Sequence, residues 1–530
     1  MSTAIAMAAD QVAWKPKVNP WIIGVTVSLA AFMEVLDSSI ANVALPHIAG
    51  NLGASNDEST WVLTSYLVSN AIVLPISGFL VSFFGRQRFF MLCIAFFTMS
   101  SFLCGIAPTL GFLLLFRILQ GAFGGGLQPM AQAILADTFP PEQQGLAFSL
   151  YGITVIVGPI LGPTLGGWIT DNYSWRWIFY INIPVGILAL FLIQKLLEDP
   201  PYLARIKKGF AKFDYVGFSL LALGVSALQI VLDKGQEDDW FGSRFIMSLV
   251  VISVVSLISL IIWEWNHKEP IVDLRLFWNL NYAASDLMFL IFGAALFSAT
   301  VLMPQLLQTL MGYTAEQAGL VLSAGGVAVL LIMPLVAQLT TRVQARYIIA
   351  FGWLGMAASM YVSAKQTDLL MSFANSAWLR IFQCIPLPFL FVPITAAAYV
   401  GLPNDKKNAA AGMMNYMRNM GQSIGTSAVT TIIARRTQYH QSVLANYTGS
   451  GRFQNAIAGL GGQLSHAGIS LKTAQHQALG RLYGLLQMQA AALSYIDIYW
   501  LLAVACSVIF FGSFFLQKNE PGTGGTVPMH

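Results

Sequence analysis

The stretch FMEVLDSSIANVALP, residues 32–46, lies inside an apolar run that begins at Trp21, and it sets Glu34 and Asp37 one helical turn apart. At about 1.5 Å of rise per residue, Glu34 falls roughly 20 Å along a helix that starts near residue 20, with Asp37 one turn further and about 60° around the axis. If the run crosses a membrane, both acids sit near its middle, where ionisable side chains are costly and mark a functional pathway. Burial favours the neutral carboxyl and a nearby cation favours the ionised one. A carboxyl held between those two influences can load and release a proton, and the spacing lets both acids share one cavity.

The composition of the chain makes that run a membrane span. Its 530 residues are 56% hydrophobic and only 10% charged, with 46 glycines, which is too apolar for a soluble protein of this length. A formal net charge of +4 is too small to point to nucleic acid. Cys93, Cys104, Cys384 and Cys506 lie in or beside apolar runs without metal-ligand spacing, and the six histidines are scattered, so no metal site is expected. Lys15 and Lys17 precede the first apolar run without a cleavable leader pattern, which reads as an uncleaved first helix. No phosphate loop of the GxxxxGK[ST] form is present, so ATP coupling and enzymatic chemistry are not expected, nor is any cofactor.

Stretches of roughly 20 apolar residues, the length a bilayer requires, fall near 20–44, 59–83, 89–107, 110–132, 146–169, 176–197, 214–233, 245–264, 283–304, 315–339, 347–364, 376–401, 409–434 and 497–517. They predict an all-α polytopic membrane protein with fourteen spans. With the N-terminus inside, alternate connections collect Lys15, Lys17, Arg86, Arg88, Lys195, Arg205, Lys207, Lys208 and Lys212, then Lys268, Arg275, Arg342, Arg346, Lys406, Lys407 and Lys518. The short outer loops are expected to hold only Arg176, Lys234, Arg244, Lys365 and Arg380, so both termini are predicted cytoplasmic.

An internal repeat is visible within the chain. Gly53 to Pro75 matches Gly312 to Pro334 in length, SNDE (55–58) matches TAEQ (314–317), and WVLTS (61–65) matches LVLSA (320–324). Both segments open with a Ser/Thr-x-x-Glu/Gln capping box. The second and tenth spans therefore read as one element in two halves, with an inserted hairpin between them: residues 1–200, 201–275 and 276–530.

Polar residues inside spans supply the candidate site. Arg117 and Gln120 lie in RILQGAFGGG, and an arginine there costs about 2.5 to 3.5 kcal/mol on insertion scales unless paired, so Glu34 or Asp37 is its expected partner. The fifth span, YGITVIVGPILGPTLGGW, carries Gly152, Gly158, Gly162, Gly166 and Gly167 with Pro159 and Pro163. Its glycines predict close helix packing, with Gly158 and Pro159 sealing one bundle against the other. Asn42, Asp286, Gln305, Gln308 and Arg418 complete the polar set expected around a cavity, with Tyr66, Phe116, Tyr151, Tyr282 and Phe292 as candidate aromatic lining.

These motifs in this order resemble the major facilitator superfamily, and within it the fourteen-helix drug:proton antiporters of the EmrB/QacA type, nearest to EmrB-like multidrug exporters. The likeness rests on LDSSIANVALPHIA, GFLVSFFGRQR, RILQG, GPILGPTLGG, WRWIFYINIPVG, MPQLLQTLMGYTAEQAGL and LPNDKKNAAAGMMNYMRNMGQSIGTS, and covers nearly the whole chain. It implies two six-helix bundles around a central cavity, with GPILGPTLGG as the antiporter motif. The loop after the second span departs from the pattern. Ser82 stands at the usual acidic position and Phe83 at the following basic one, so the gating salt bridge placed there loses its usual acid.

The resemblance implies a multi-pass inner-membrane exporter that exchanges protons for amphipathic drugs or toxic organic compounds, contributing to antibiotic resistance. Asp37 would be the principal proton carrier and Glu34 the more substrate-facing acid. An exporter of one endogenous metabolite or siderophore, or a non-transporting membrane sensor, are the other readings of this scaffold. The connection at 435–496 contains LKTAQHQALGRLYGLLQMQAAALSYI (471–496), whose Leu479, Leu482, Leu486 and Ala490 recur at helical spacing. That face predicts docking, either flat on membrane lipid or on a periplasmic adaptor (a membrane fusion protein leading to an outer-membrane channel), which the resemblance implies.

Overall fold

The computed structural model describes residues 16–199, 214–267, 270–466 and 470–515. Lys15, Arg205, Lys207, Lys208, Lys212, Lys268, Lys518 and both termini, all expected on the inner face, lie outside the described residues. The first helices are α1 (Pro20–Leu52), α2 (Asn56–Phe84), α3 (Arg86–Gly105), α4 (Leu110–Gly124), α5 (Leu127–Thr138), α6 (Pro141–Asn172), α7 (Trp177–Tyr180) and α8 (Asn182–Leu196). A hairpin follows, α9 (Tyr215–Lys234) and α10 (Arg244–Asn266). The rest are α11 (Leu280–Thr309), α12 (Ala315–Thr340), α13 (Ala345–Gln366), α14 (Phe373–Cys384), α15 (Leu387–Ala398), α16 (Lys407–Ala445), α17 (Gly451–His466) and α18 (Leu471–Gly512).

With α4–α5, α7–α8 and α14–α15 each counted as one span, thirteen helical segments among the described residues are long and apolar enough to cross a membrane. The chain is a multi-pass membrane protein. Helix α16 is the remaining expected span. At 39 residues it exceeds the length a bilayer needs, but Asn408, Asn415, Arg418, Asn419 and Gln422 make it too polar to stand out by hydropathy.

The matched segments of the two halves fold alike. Gly53 and Gly312 both take positive φ, at 66° and 72°, before capping boxes formed by Ser55 with Glu58 and Thr314 with Gln317. Pro75 and Pro334 then lie inside α2 and α12. Helix α1 packs on α6 and α11 on α16, while the two groups of helices meet along two seams, α6 on α12 and α2 on α16. Helix α9 packs on α2 and α16, and α10 packs on α9.

Gly158, Gly162 and Gly166 of the α6 motif face α1, whereas Ile160 and Thr164 of the same motif meet Gly326 and Ser323 of α12 in the seam. A Cβ on Gly158 would lie 2.7 Å from Val35 Cγ1, on Gly162 2.2 Å from Ser39 Oγ, and on Gly166 3.2 Å from the Ile40 carbonyl. All three press α6 against α1 within one half. They recur every four residues and so share a face, whereas Gly152 is about 240° around the helix and meets Met333 and Phe391. Pro163 has no N–H for the Pro159 carbonyl, and Ser39 Oγ donates to that oxygen at 3.0 Å. The proline is thereby tolerated without breaking α6.

Two other expectations change. Arg380 and Lys234 are not loop residues: Arg380 lies inside α14 at 1% exposure, and Lys234 ends α9 at 4%. The connection at 435–496 is largely helix, because α16 continues to Ala445 and α18 starts at Leu471 and runs through the last span without a break. Its inner stripe is Ala474, Ala478 and Ala490, buried where α18 packs on α17 and α16, while Leu479 is exposed. Small residues win the seam because they let the helices approach.

Candidate functional site

Helices α1, α2, α6, α9, α11 and α16 surround a cavity of about 810 Å³. It extends from Glu34 and Gln128 at its floor to His47 and Asp171, a half-exposed pair 3.8 Å apart at the ends of α1 and α6. Beyond the floor the molecule is closed. Arg86 pairs with Asp137, and Lys407 Nζ reaches the same carboxylate at 2.9 Å, tying α3 and α5 to the start of α16. The carboxylate these two cations share is that of Asp137, while Ser82 Oγ donates to the Gly78 carbonyl at 3.0 Å. Below the floor, Asn415 Nδ2 donates to Gln132 Oε1 at 2.6 Å, Tyr151 OH meets Asn415 Oδ1 at 3.1 Å, and Phe148 stacks on Tyr399.

The two acids of the opening stretch part company. Glu34 faces the cavity floor and accepts from Tyr66 OH at 2.8 Å, from Asn70 Nδ2 at 3.1 Å and from Gln128 Nε2. Asp37 is turned away from the cavity toward side chains of α4 and α8. It accepts from Arg117 Nη1 at 2.7 Å, Gln120 Nε2 at 2.9 Å and Asn182 Nδ2 at 2.6 Å. Both are nearly inaccessible, at 3% and 2% exposure, and each is compensated by three donors, as burial of a charge requires. The offset of 60° is enough to send them to opposite sides of one helix wall, so they do not share the cavity.

Arg117 stands between them. Beyond Asp37 its Nη1 donates to Gln120 Oε1 at 2.8 Å and its Nε to the Val62 carbonyl at 3.2 Å, and its guanidinium lies 4.3 Å from the Tyr66 ring centroid. Tyr66 therefore touches both carboxylate sites, with its ring under Arg117 and its hydroxyl on Glu34. Asn42, Gln305, Gln308 and Arg418 line the cavity as expected; Asp37, Gln120 and Asp286 do not. Gln120 is drawn to Asp37 by hydrogen bonding. Asp286 is fully buried near the start of α11, and neither of its oxygens has a hydrogen-bond partner among the described residues. Of the candidate aromatics, Tyr66 lines the cavity, whereas Phe116, Tyr151, Tyr282 and Phe292 are placed elsewhere.

Sequence reasoning missed Gln128, Asn70 and the contribution of α9. Gln128 and Asn70 carry the signal used for Arg117, a polar side chain in an apolar span. Helix α9 places Gln229 and Asp233 on the cavity wall, four residues apart and so on one face. Asp233 holds Thr64 of α2, and Gln229 Nε2 donates to Ser423 Oγ of α16 at 2.9 Å. The hairpin therefore closes the cavity wall between α2 and α16.

Residues 27–426 match the family model of the Major Facilitator Superfamily. The chain is 42% identical over 426 residues to the probable multidrug resistance protein EmrY of Escherichia coli (strain K12), covering 80% of this chain and 82% of that protein. It is 36% identical over 504 residues to the multidrug export protein EmrB of the same strain, covering 95% and 96%. Among solved structures, the proton:xylose symporter XylE bound to 6-bromo-6-deoxy-D-glucose has the same fold, with a TM-score of 0.60 at 14% identity over 95% of this chain and 97% of that one.

Proposed function

The chain belongs to the Major Facilitator Superfamily, and from that premise we propose that it is a proton-coupled antiporter that exports amphipathic organic compounds across the inner membrane. The multidrug relatives support the cargo class. The observation that carries the coupling is a buried Asp37–Arg117 pair separated by one tyrosine from a cavity-lining Glu34.

A proton reaching Asp37 removes the countercharge of Arg117. The guanidinium, already over Tyr66, then has Glu34 as the next carboxylate within the same network, and the cavity floor is reorganised as the cargo arrives or leaves. The closed end holds Arg86, Asp137 and Lys407 and is the cytoplasmic one, so the open cavity faces outward. Residues 1–200 and 276–530 are the moving halves, with 201–275 as the inserted hairpin and both termini in the cytoplasm. Helix α18 spans about 63 Å for its 42 residues, twice the roughly 30 Å hydrocarbon core. Its surplus, with α17 and the end of α16, forms an outward projection for a periplasmic adaptor leading to an outer-membrane channel.

The test is purified protein in liposomes under an imposed pH gradient, with lipophilic cations, neutral drugs and uncouplers as cargo. Proton release matched to cargo movement is expected. Cargo movement indifferent to the gradient would refute antiport.

A further inference from the structure

At the cavity floor a single side-chain amide joins two charges of opposite sign. Gln128 Nε2 donates to Glu34 of α1, and Gln128 Oε1 accepts from Arg418 Nη2 of α16. That orientation of the amide is the one both charges require, since a carboxylate only accepts and a guanidinium only donates. All three side chains are at least nine-tenths buried, at 3% for Glu34 and Arg418 and 5% for Gln128. Arg418 also donates to Asn419 Oδ1 at 3.2 Å, and its Nε has no hydrogen-bond partner among the described residues. Buried and lining the cavity, that N–H is an unfilled donor position.

The walls above the floor are polarised in the same sense. Helices α1, α6 and α9 bring Glu34, Asp171 and Asp233 to the cavity, whereas α11 and α16 bring Arg418 and no carboxylate among the described residues. Arg117, the cation on the acidic side, is already matched by Asp37. Gln128 thus occupies the place of a donor beside an acceptor, with the donor toward α1 and the acceptor toward α16.

We propose that the cavity floor is a binding site for an amphoteric head group, whose protonated amine takes the place of Gln128 on Glu34 and whose carboxylate takes its place on Arg418. The carboxylate also reaches the free Nε, so the guanidinium can hold it through two N–H groups, the geometry in which arginine binds carboxylates best. The apolar body of the ligand then points up the cavity toward Leu63, Leu67 and Phe297, which line its walls. This rests on the export reading and narrows its substrate class to amphipaths that carry both charges close together.

The test measures binding of naphthylalanine, its methyl ester and its N-acetyl derivative to the full chain in nanodiscs, at one fixed pH and without a gradient. These three share one aromatic body and present both charges, the cation alone and the anion alone. The free amino acid is expected to bind at least about tenfold more tightly than either, a difference of about 1.4 kcal/mol. Arg418→Gln should weaken the two carboxylate-bearing ligands about tenfold more than the ester, Glu34→Gln should weaken the two amine-bearing ligands about tenfold more than the N-acetyl derivative, and Arg418→Lys should keep part of the preference. Equal weakening of all three ligands by Arg418→Gln would overturn the proposal. Gln128→Ala covers the case in which the arginine variants fail to fold. It should retain the preference, because the ligand supplies both groups, and loss of the preference in a folded Gln128→Ala protein would also overturn the site. Intact ligand preference with gradient-independent export would sustain the site and refute only antiport.

Discussion

Arg117 and Arg380 occupy corresponding places in the two halves of the molecule and meet opposite fates. Each opens the same short pattern, RILQ at 117–120 and RIFQ at 380–383, and each bonds the glutamine three residues on, at 2.8 Å and 3.2 Å. Each also reaches a side chain 80 residues earlier in the chain: Asp37 for Arg117, and Thr300 for Arg380 at 3.0 Å. The outer amides differ too, with Asn182 bridging Asp37 to Ser101 on one side and Gln383 bonding Ser363 on the other. The scaffold therefore builds the arginine pocket twice and places an acid in it once. A guanidinium can be held in the interior by neutral oxygens such as the Ala299 carbonyl, 3.1 Å from Arg380. Holding an arginine here therefore does not by itself require an acid, and the proposed proton role of Asp37 rests on that difference.

The strongest way to break the comparison is to make the first pocket neutral like the second. Asp37→Asn should leave a folded protein that still binds cargo while gradient-driven export falls about a hundredfold or more, the scale of losing a positioned proton-transfer group. Transport in liposomes checks it, and an unchanged rate would move the coupling site, with Asp286 next to be tested. The second contrast is energetic. Arg117→Leu leaves Asp37 buried and unpaired and should cost about 3–5 kcal/mol. Arg380→Leu strands only neutral acceptors and should cost about 1–3 kcal/mol. Equal losses in detergent denaturation would mean that Arg380 has a countercharge after all.

The helix seams sharpen the same contrast. On α16, a Cβ at Gly421 would lie 1.8 Å from the Leu290 carbonyl oxygen, whereas at Gly158 the nearest atom is a movable methyl of Val35. Gly421→Ala should therefore cost about 1–3 kcal/mol, and Gly158→Ala less, with Gly158→Leu needed to disrupt exchange. Thermal unfolding of the two alanine variants orders them. The smallest effect is the converse of the first: Thr300→Asp gives Arg380 a carboxylate and should raise stability by about 1 kcal/mol, the net of a charge-assisted bond and its desolvation. A fall in unfolding temperature would show that the second pocket cannot accept an acid.

Much of the candidate site was legible because an ionisable or amide side chain inside a span is expensive and so conspicuous. Glu34, Asp37, Arg117 and Arg418 stand out in this way. Arg380 carries the same signal and lies within the expected span 376–401, but its place near the start of that span had it counted with the outer loop. Gln128 and Asn70 carried the same amide signal but were passed over beside the ionisable residues. Helix α9 escaped because a hairpin between two repeats carries no mark of which helices it lies against.

The amino-acid sequence alone determined the number of spans to within the polar α16, the repeated caps and prolines of α2 and α12, and that α1, α4 and α16 hold buried charge. Those properties follow from local chemistry: hydropathy, backbone caps and the cost of a charge in lipid act residue by residue. Tertiary structure alone decided that Glu34 faces the cavity and Asp37 does not, that Arg86 and Lys407 share Asp137, and that Gly158 seats on Val35. A turn of 60° on one helix, or the choice of neighbour for a glycine face, depends on what packs beside it. That neighbour lies about a hundred residues away in the chain, and no local pattern names it.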